Sequence, residues 1–184
     1  MVGAILTQSA TWHNVQKAIT KLKNAGAMSP SSIRDIPVLE LAKLIYPTGY
    51  YNAKALKLQA LVNWLGASYG DNLRQVFNMD TETLREQLLA VHGIGPETAD
   101  SILLYAANKP VFVIDTYTRR IINRLGLAPA NNSYDTYQTL FTSSLPQSTQ
   151  LFNEYHALLV RHGKEACRKQ PVCEKCRLLD ICKR

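Results

Sequence analysis

Leu84-Arg85-Glu86-Gln87-Leu88-Leu89-Ala90-Val91-His92-Gly93-Ile94-Gly95-Pro96-Glu97-Thr98-Ala99-Asp100 reads as helix, tight turn, helix. Leu84, Leu88 and Val91 keep a helical spacing, which two glycines then interrupt. Gly93 and Gly95 let the backbone turn sharply and approach a ligand closely. Pro96 is a favoured residue for opening the next helix, which is expected to run to about Asn108, where Lys109-Pro110 stops it. Free N–H groups at such a helix start suit an anion, a phosphate included. A lone G-x-G turn is usually only a connector, so its meaning depends on its surroundings.

Downstream, Val111-Phe112-Val113-Ile114 is an apolar run too short to assign by periodicity. It reads as a buried loop leading to Asp115, the N-cap of a helix that begins Thr116-Tyr117-Thr118. Capping and chemistry are compatible, because a carboxylate at a helix start stays ionised and can stabilise a developing cation. Two further helices are expected over 133–144 and 148–163. Upstream, 4–24 carries Ile5, Leu6, Val15, Ala18, Ile19 and Leu22 at roughly helical spacing, and 28–36 reads as a Ser/Pro/Asp loop. Pro37 opens a helix to about residue 45, Pro47 and Gly49 break it, and Asn52 caps a longer helix to about Tyr69. Short helices follow near 71–77 and 81–90, so the fold class is all-α.

The C-terminal stretch carries all four cysteines, Cys167, Cys173, Cys176 and Cys182, spaced C-x5-C-x2-C-x5-C. No distant cysteine exists to pair with them, which argues against a disulfide framework. Four thiolates in one loop can surround a metal centre. A single C-x2-C with longer arms suits 4Fe–4S ligation better than the paired knuckles of zinc, although zinc and free thiols remain alternatives on spacing alone. The same region is basic, with eight Lys/Arg against three acids over 161–184, so it supplies five of the seven net positive charges. A concentrated basic tail suits a polyanion. No apolar run approaches the ~20 residues a membrane span needs, and no basic-then-apolar leader opens the chain. A cytoplasmic protein associated with the nucleoid is expected.

Taken in order, Ala4-Ile5-Leu6-Thr7-Gln8-Ser9-Ala10-Thr11-Trp12, Gly49-Tyr50-Tyr51-Asn52-Ala53-Lys54-Ala55, the hairpin, Val113-Ile114-Asp115-Thr116 and the cysteine loop resemble the endonuclease III superfamily of helix-hairpin-helix, iron–sulfur DNA glycosylases. The turn Gly-Ile-Gly-Pro-Glu-Thr-Ala-Asp most resembles the branch containing the 3-methyladenine DNA glycosylase III type. The resemblance implies a six-helix barrel domain over 1–109, with the helix-hairpin-helix at 84–107. It also implies a helical domain over 110–184 closed by an iron–sulfur loop at 167–182, with the active site in the cleft between the two domains.

The same resemblance places Asp115 on the family's catalytic aspartate and Gly93 and Gly95 on its phosphate-binding turn. Tyr50 falls on the intercalating loop, Gln8 and Ser9 are candidates for the opposite plug, and Trp12, Tyr117 and His92 are candidates to stack on a flipped base. The partner is double-stranded DNA containing a damaged base, bound by a monomer. The lysine that attacks the sugar in bifunctional members is replaced by Glu97. A carboxylate cannot form a Schiff base, so a monofunctional glycosylase for alkylated purines is expected. A glycosylase for oxidised or deaminated bases is the second reading, and a non-catalytic DNA-binding remnant the third. Family members usually carry a further N-terminal segment that crosses to the cluster domain. Met1 stands where that segment should have ended, so Met1 is expected to be an internal methionine of a longer product or the start of a truncated gene, and the chain to be less stable than its relatives.

Overall fold

The computed structural model describes Met1–Lys183, and among these residues every regular element is helical. The chain divides into two compact units, Met1–Ile102 and Leu103–Arg184.

In the first unit, α1 (Val2–Leu6), α2 (Trp12–Asn24), α3 (Pro30–Asp35) and α4 (Val38–Ile45) precede a 3-10 turn, Tyr46–Thr48. Then come α5 (Tyr51–Tyr69), α6 (Leu73–Asn78), α7 (Thr81–Ala90) and α8 (Pro96–Tyr105), with the division between units falling inside α8. Helix α5 is the axis of this unit. It buries Ala55, Leu58, Leu61, Val62 and Leu65 and is packed by α1, α3, α4 and α6. A helix apolar on more than one side must be covered on more than one side, and that requirement places it centrally.

Three expectations need correction. The helix expected over 4–24 is two helices, because Ser9 takes a left-handed backbone (φ 52°) and Thr11 caps a new start at Trp12. The loop expected at 28–36 contains α3, in which Ser29 and Ser32 form a reciprocal capping box and Pro30 stands in the first turn. Asn52 lies inside α5, and the residue at the cap position is Tyr50, itself left-handed (φ 47°).

The second unit holds α9 (Thr116–Arg124), α10 (Tyr134–Ser144), α11 (Thr149–Glu165) and two 3-10 turns, Cys173–Lys175 and Leu179–Ile181. Val111–Ile114 is buried and is neither strand nor helix, as expected. Its backbone is satisfied by side chains of α10: Gln138 Nε2 donates to Phe112 O at 2.8 Å, and Ile114 N–H donates to the Tyr134 hydroxyl at 3.2 Å. A buried extended segment is tolerable only when its polar groups are paired in this way. Phe112 stacks on Phe141 (centroids 3.9 Å, planes 6° apart), with Phe152 and Tyr155 edge-on to Phe112.

Across the hairpin, Arg85 of α7 donates from Nε to Oδ1 of Asp100 in α8 at 2.7 Å, and Asp100 is fully buried. Removing one member of a buried ion pair strands the other charge. Arg85→Ala is expected to lower unfolding free energy by about 3 kcal/mol, read as a leftward shift of the urea midpoint at unchanged slope.

Candidate active site and hairpin

The hairpin is held by a polar bridge from the loop after α1. Gln8 Nε2 donates to Gly93 O at 3.1 Å and to Thr98 Oγ1 at 2.9 Å, while Lys57 Nζ donates to Gln8 Oε1 at 2.6 Å. Gln8, Ser9, Tyr50, Ala53, Lys54 and Lys57 line one cavity of about 240 Å³. Three residues singled out from the sequence, Gln8, Ser9 and Tyr50, are therefore gathered beside the hairpin. Ser9 and Tyr50 both have left-handed backbones, and Tyr50 is 76% exposed. A left-handed non-glycine residue carries strain, and strain of this kind collects at functional sites.

Lys54 was not singled out. It is fully buried, donating from Nζ to Leu6 O (2.9 Å) and Thr48 O (2.8 Å). Burial, helped by Lys57, brings its ammonium down to about 8. It ties the end of α1 to the turn that carries Tyr50.

The two hairpin glycines differ. Gly93 is left-handed (φ 80°), and a Cβ there would meet the Lys57 side chain at 2.3 Å. Gly95 has ordinary backbone, and a Cβ there would meet nothing within 4 Å. Glu97 is exposed in the first turn of α8. His92 is exposed on a separate shallow cavity of about 460 Å³, lined also by Trp64, Tyr69 and Gln87, which contains none of the other candidate residues. Trp12 is 52% exposed at the start of α2.

In the second unit, Asp115 is buried and caps α9, accepting the Thr118 N–H on Oδ1 at 2.7 Å. Its Oδ2 faces His156 Nε2 at 3.6 Å, and His156 Nδ1 is 2.6 Å from the Tyr105 hydroxyl. Burial works to raise the Asp115 carboxyl, but His156 and the Thr118 N–H outweigh it and hold it below the usual carboxylate range. Tyr105 is pushed up to about 12 by burial and by the charge of Asp115. His156 could have been suspected from phase alone, since with Phe152, Leu159 and Gly163 it follows the buried stripe of α11. Tyr117 packs on Gly163, where a Cβ would come within 2.6 Å of its ring, and Arg120 lies over that ring at 5.1 Å.

The four cysteines form no disulfide. Arg124 Nη1 donates to Cys167 Sγ at 3.2 Å, Cys182 Sγ–H donates to Arg124 O at 3.5 Å, and Cys173 and Cys176 share one 3-10 turn. Among the described residues, no three His, Cys, Asp or Glu side chains are placed to hold a metal ion. The donor chemistry nevertheless suits an iron–sulfur cluster. All four donors are soft sulfurs, and neither 3-10 turn buries a residue that could anchor the loop by packing.

Residues 2–147 match the HhH-GPD superfamily of base excision DNA repair proteins. The chain belongs to that superfamily. It is 40% identical over 184 residues to a Methanocaldococcus jannaschii protein provisionally named a DNA repair glycosylase, covering 99% of this chain and 83% of that one. It is 31% identical to endonuclease III of Sulfolobus acidocaldarius, covering all of this chain and 80% of the relative. Among solved structures, the H. pylori 3-methyladenine DNA glycosylase bound to 1,N6-ethenoadenine superposes with a TM-score of 0.80 at 29% identity, covering 89% of this chain and 83% of that one. An endonuclease III–DNA complex superposes at 0.84 with 24% identity, covering 99% of this chain and 80% of that one, and so establishes the HhH-GPD fold expected from the resemblance. No described helix is long and apolar enough to cross a membrane.

The contrast between the two HhH-GPD glycines is measurable. Gly93→Ala should cost about 1–2 kcal/mol for its left-handed backbone, whereas Gly95→Ala should unfold at the wild-type denaturant midpoint.

Proposed function

We propose that this chain is a monofunctional DNA glycosylase that hydrolyses the N-glycosidic bond of a flipped, alkylated purine. The observation that carries the proposal is Asp115, a buried carboxylate held ionised at the start of α9. The base must leave the stack before its bond can be reached. As the bond breaks, positive charge grows on the sugar, and a fixed carboxylate shielded from water stabilises it strongly. Asp115 Oδ1 is engaged by the Thr118 N–H, so Oδ2 is the oxygen that would face the sugar or accept a proton from the attacking water. A purine alkylated at N3 or N7 already carries positive charge and leaves without much help from an acid. That substrate class is supported by the 29% identity to the 3-methyladenine glycosylase bound to ethenoadenine. Glu97, at the position where bifunctional relatives carry lysine, supports hydrolysis without strand cleavage.

On the DNA side, Gly93 and Gly95 would present N–H groups to a backbone phosphate, and the open face at Gly95 leaves room for one. Tyr50 would enter the stack as a wedge, with Gln8 or Ser9 filling the opposite gap. Because Gln8 bonds to Gly93 O and Thr98, plug and phosphate anchor would move as one piece. Trp12, exposed at the start of α2, remains the better placed stacking candidate, since one face of Tyr117 is already covered by Gly163. Cys167, Cys173, Cys176 and Cys182 would hold a 4Fe–4S cluster. When bound, it supplies a covalent staple for a loop of short turns with little core of its own. The enzyme would act as a monomer on duplex DNA in the cytoplasm.

Two outcomes are expected. Protein purified anoxically should be yellow-brown with about four irons per chain, and Cys173→Ala should lose them. Stoichiometric zinc without iron would overturn the cluster. With methylated DNA and a duplex carrying one 1,N6-ethenoadenine as substrates, Asp115→Asn should keep the helix cap, because asparagine caps as well as aspartate. It should bind DNA as before and lose about a hundredfold or more in base release. The wild-type product should be an intact abasic strand, cleaved only by alkali, and borohydride should trap nothing. A trapped complex would assign a lyase step to another amine, such as Lys54, Lys57 or Lys109.

A further inference from the structure

The side chains around Asp115 form a chain of three. Tyr105 ends α8, His156 lies in the middle of α11, and Asp115 caps α9, so three elements bring one polar group each to a common point. Tyr105 keeps its proton throughout the working range, with its hydroxyl pushed up to about 12 by burial and by Asp115. Tyr105 and His156 share a hydrogen bond of 2.6 Å, and because His156 Nε2 faces the Asp115 carboxylate, the ring proton belongs on Nε2 and Nδ1 accepts from the Tyr105 hydroxyl. An imidazole that accepts at Nδ1 carries its proton on Nε2. That nitrogen is buried, has no hydrogen-bond partner, and lies 3.6 Å from Asp115 Oδ2.

A buried, unpaired ring nitrogen is costly, and a well-packed core offers many sites where it could have been avoided. Here it is aimed at the oxygen of Asp115 that the helix cap leaves unengaged. The separation is one step longer than a hydrogen bond. Contacts in catalytic groups are often long before substrate arrives and tighten in the complex. The nitrogen is also sealed from solvent, so a bridging water does not account for the gap.

We propose that His156, held between the Tyr105 hydroxyl and Asp115 with its ring proton on Nε2, is a positioning residue for Asp115: it orients Oδ2 when substrate is bound. This rests on the reading of Asp115 as the group that stabilises the sugar cation. Nothing in the proposal requires His156 to touch DNA. Its effect passes through the carboxylate, as the orienting member of a hydrogen-bonded triad acts through its neighbour. Among the described residues, the titratable groups recorded against Asp115 are Tyr105 from α8 and His156 from α11.

The test compares wild type with His156→Gln, His156→Leu, Tyr105→Phe and Asp115→Asn. Single-turnover base release is measured from methylated DNA and from the ethenoadenine duplex across pH, with DNA affinity measured alongside. Glutamine can place an amide N–H near the position of Nε2, so His156→Gln should retain most of the rate. His156→Leu should lose about 10- to 100-fold, the loss of one hydrogen bond to a charged group. Its affinity for DNA should be unchanged, and the acid limb of its rate profile should move to higher pH because Asp115 takes up a proton more readily. Tyr105→Phe should fall between them.

Independently of activity, ¹⁵N spectra of the ring should report the Nε2–H tautomer in wild type and a mixture in Tyr105→Phe. A wild-type rate and acid limb in His156→Leu, beside an inactive Asp115→Asn, would overturn the role of His156 and leave the glycosylase reading standing. An active Asp115→Asn would remove both. An Nδ1–H tautomer in wild type would remove this proposal alone.

Discussion

A carboxylate taken out of water must be compensated where it lies, and Asp115 imposes that condition on the second unit of this protein. Its charge meets the start of α9 on one oxygen and an imidazole on the other. To bring it there, the chain has to run extended and buried through Val111–Ile114, leaving carbonyls and amides with no ladder to join. Helix α10 answers that need with Gln138 and Tyr134, and the stacked pair Phe112–Phe141 fixes the distance between loop and helix. The aromatic core, the α10 side chains and the phase of α11 are thus consequences of carrying one buried charge to the end of one loop.

The first unit solves a different problem, which is to hold a mobile kind of structure still. A glycine turn has little of its own to fix it. Here the turn is clamped on one side by the ion pair Arg85–Asp100 between its two helices. On the other side it is bridged through Gln8 to Lys57 on α5, the longest helix of the unit. Lys54, one turn earlier on the same helix, bonds the backbone carbonyl of Leu6 just before the candidate plug and that of Thr48 just before the candidate wedge. Position is therefore passed outward from α5 to three loops by polar contacts added to its packing.

Much of this was legible in the sequence, for reasons of range. The hairpin, the Asp115 cap and the ends of the later helices are local signals, written within a few residues of one another, and they appear where the pattern places them. The errors are local too, but ambiguous. Ser29-Pro30 suits a loop and a helix start equally well. The apolar rhythm of 4–24 runs straight across a break that only the backbone at Ser9 reveals. What could not be read is long-range pairing. Tyr105 and His156 are 51 residues apart, and Gln8 and Gly93 are 85 apart, so no spacing rule connects them. His156 in particular looks like any histidine on an apolar stripe until its neighbours are known.

Arg124 is the residue on which the cysteine segment docks. Its guanidinium binds the carbonyls of Arg168 and Lys169 and the sulfur of Cys167, and its own carbonyl accepts from Cys182 and from the Lys183 amide. One residue thus grips the cysteine segment at both ends. The ribosome makes it 43 residues before Cys167. The residue that both ends of the segment bind is therefore synthesised before the segment itself. A single side chain and its own carbonyl thus hold Cys167 and Cys182 on one helix, and the spacing between the outermost thiols is set by α9 and not by the loop that joins them.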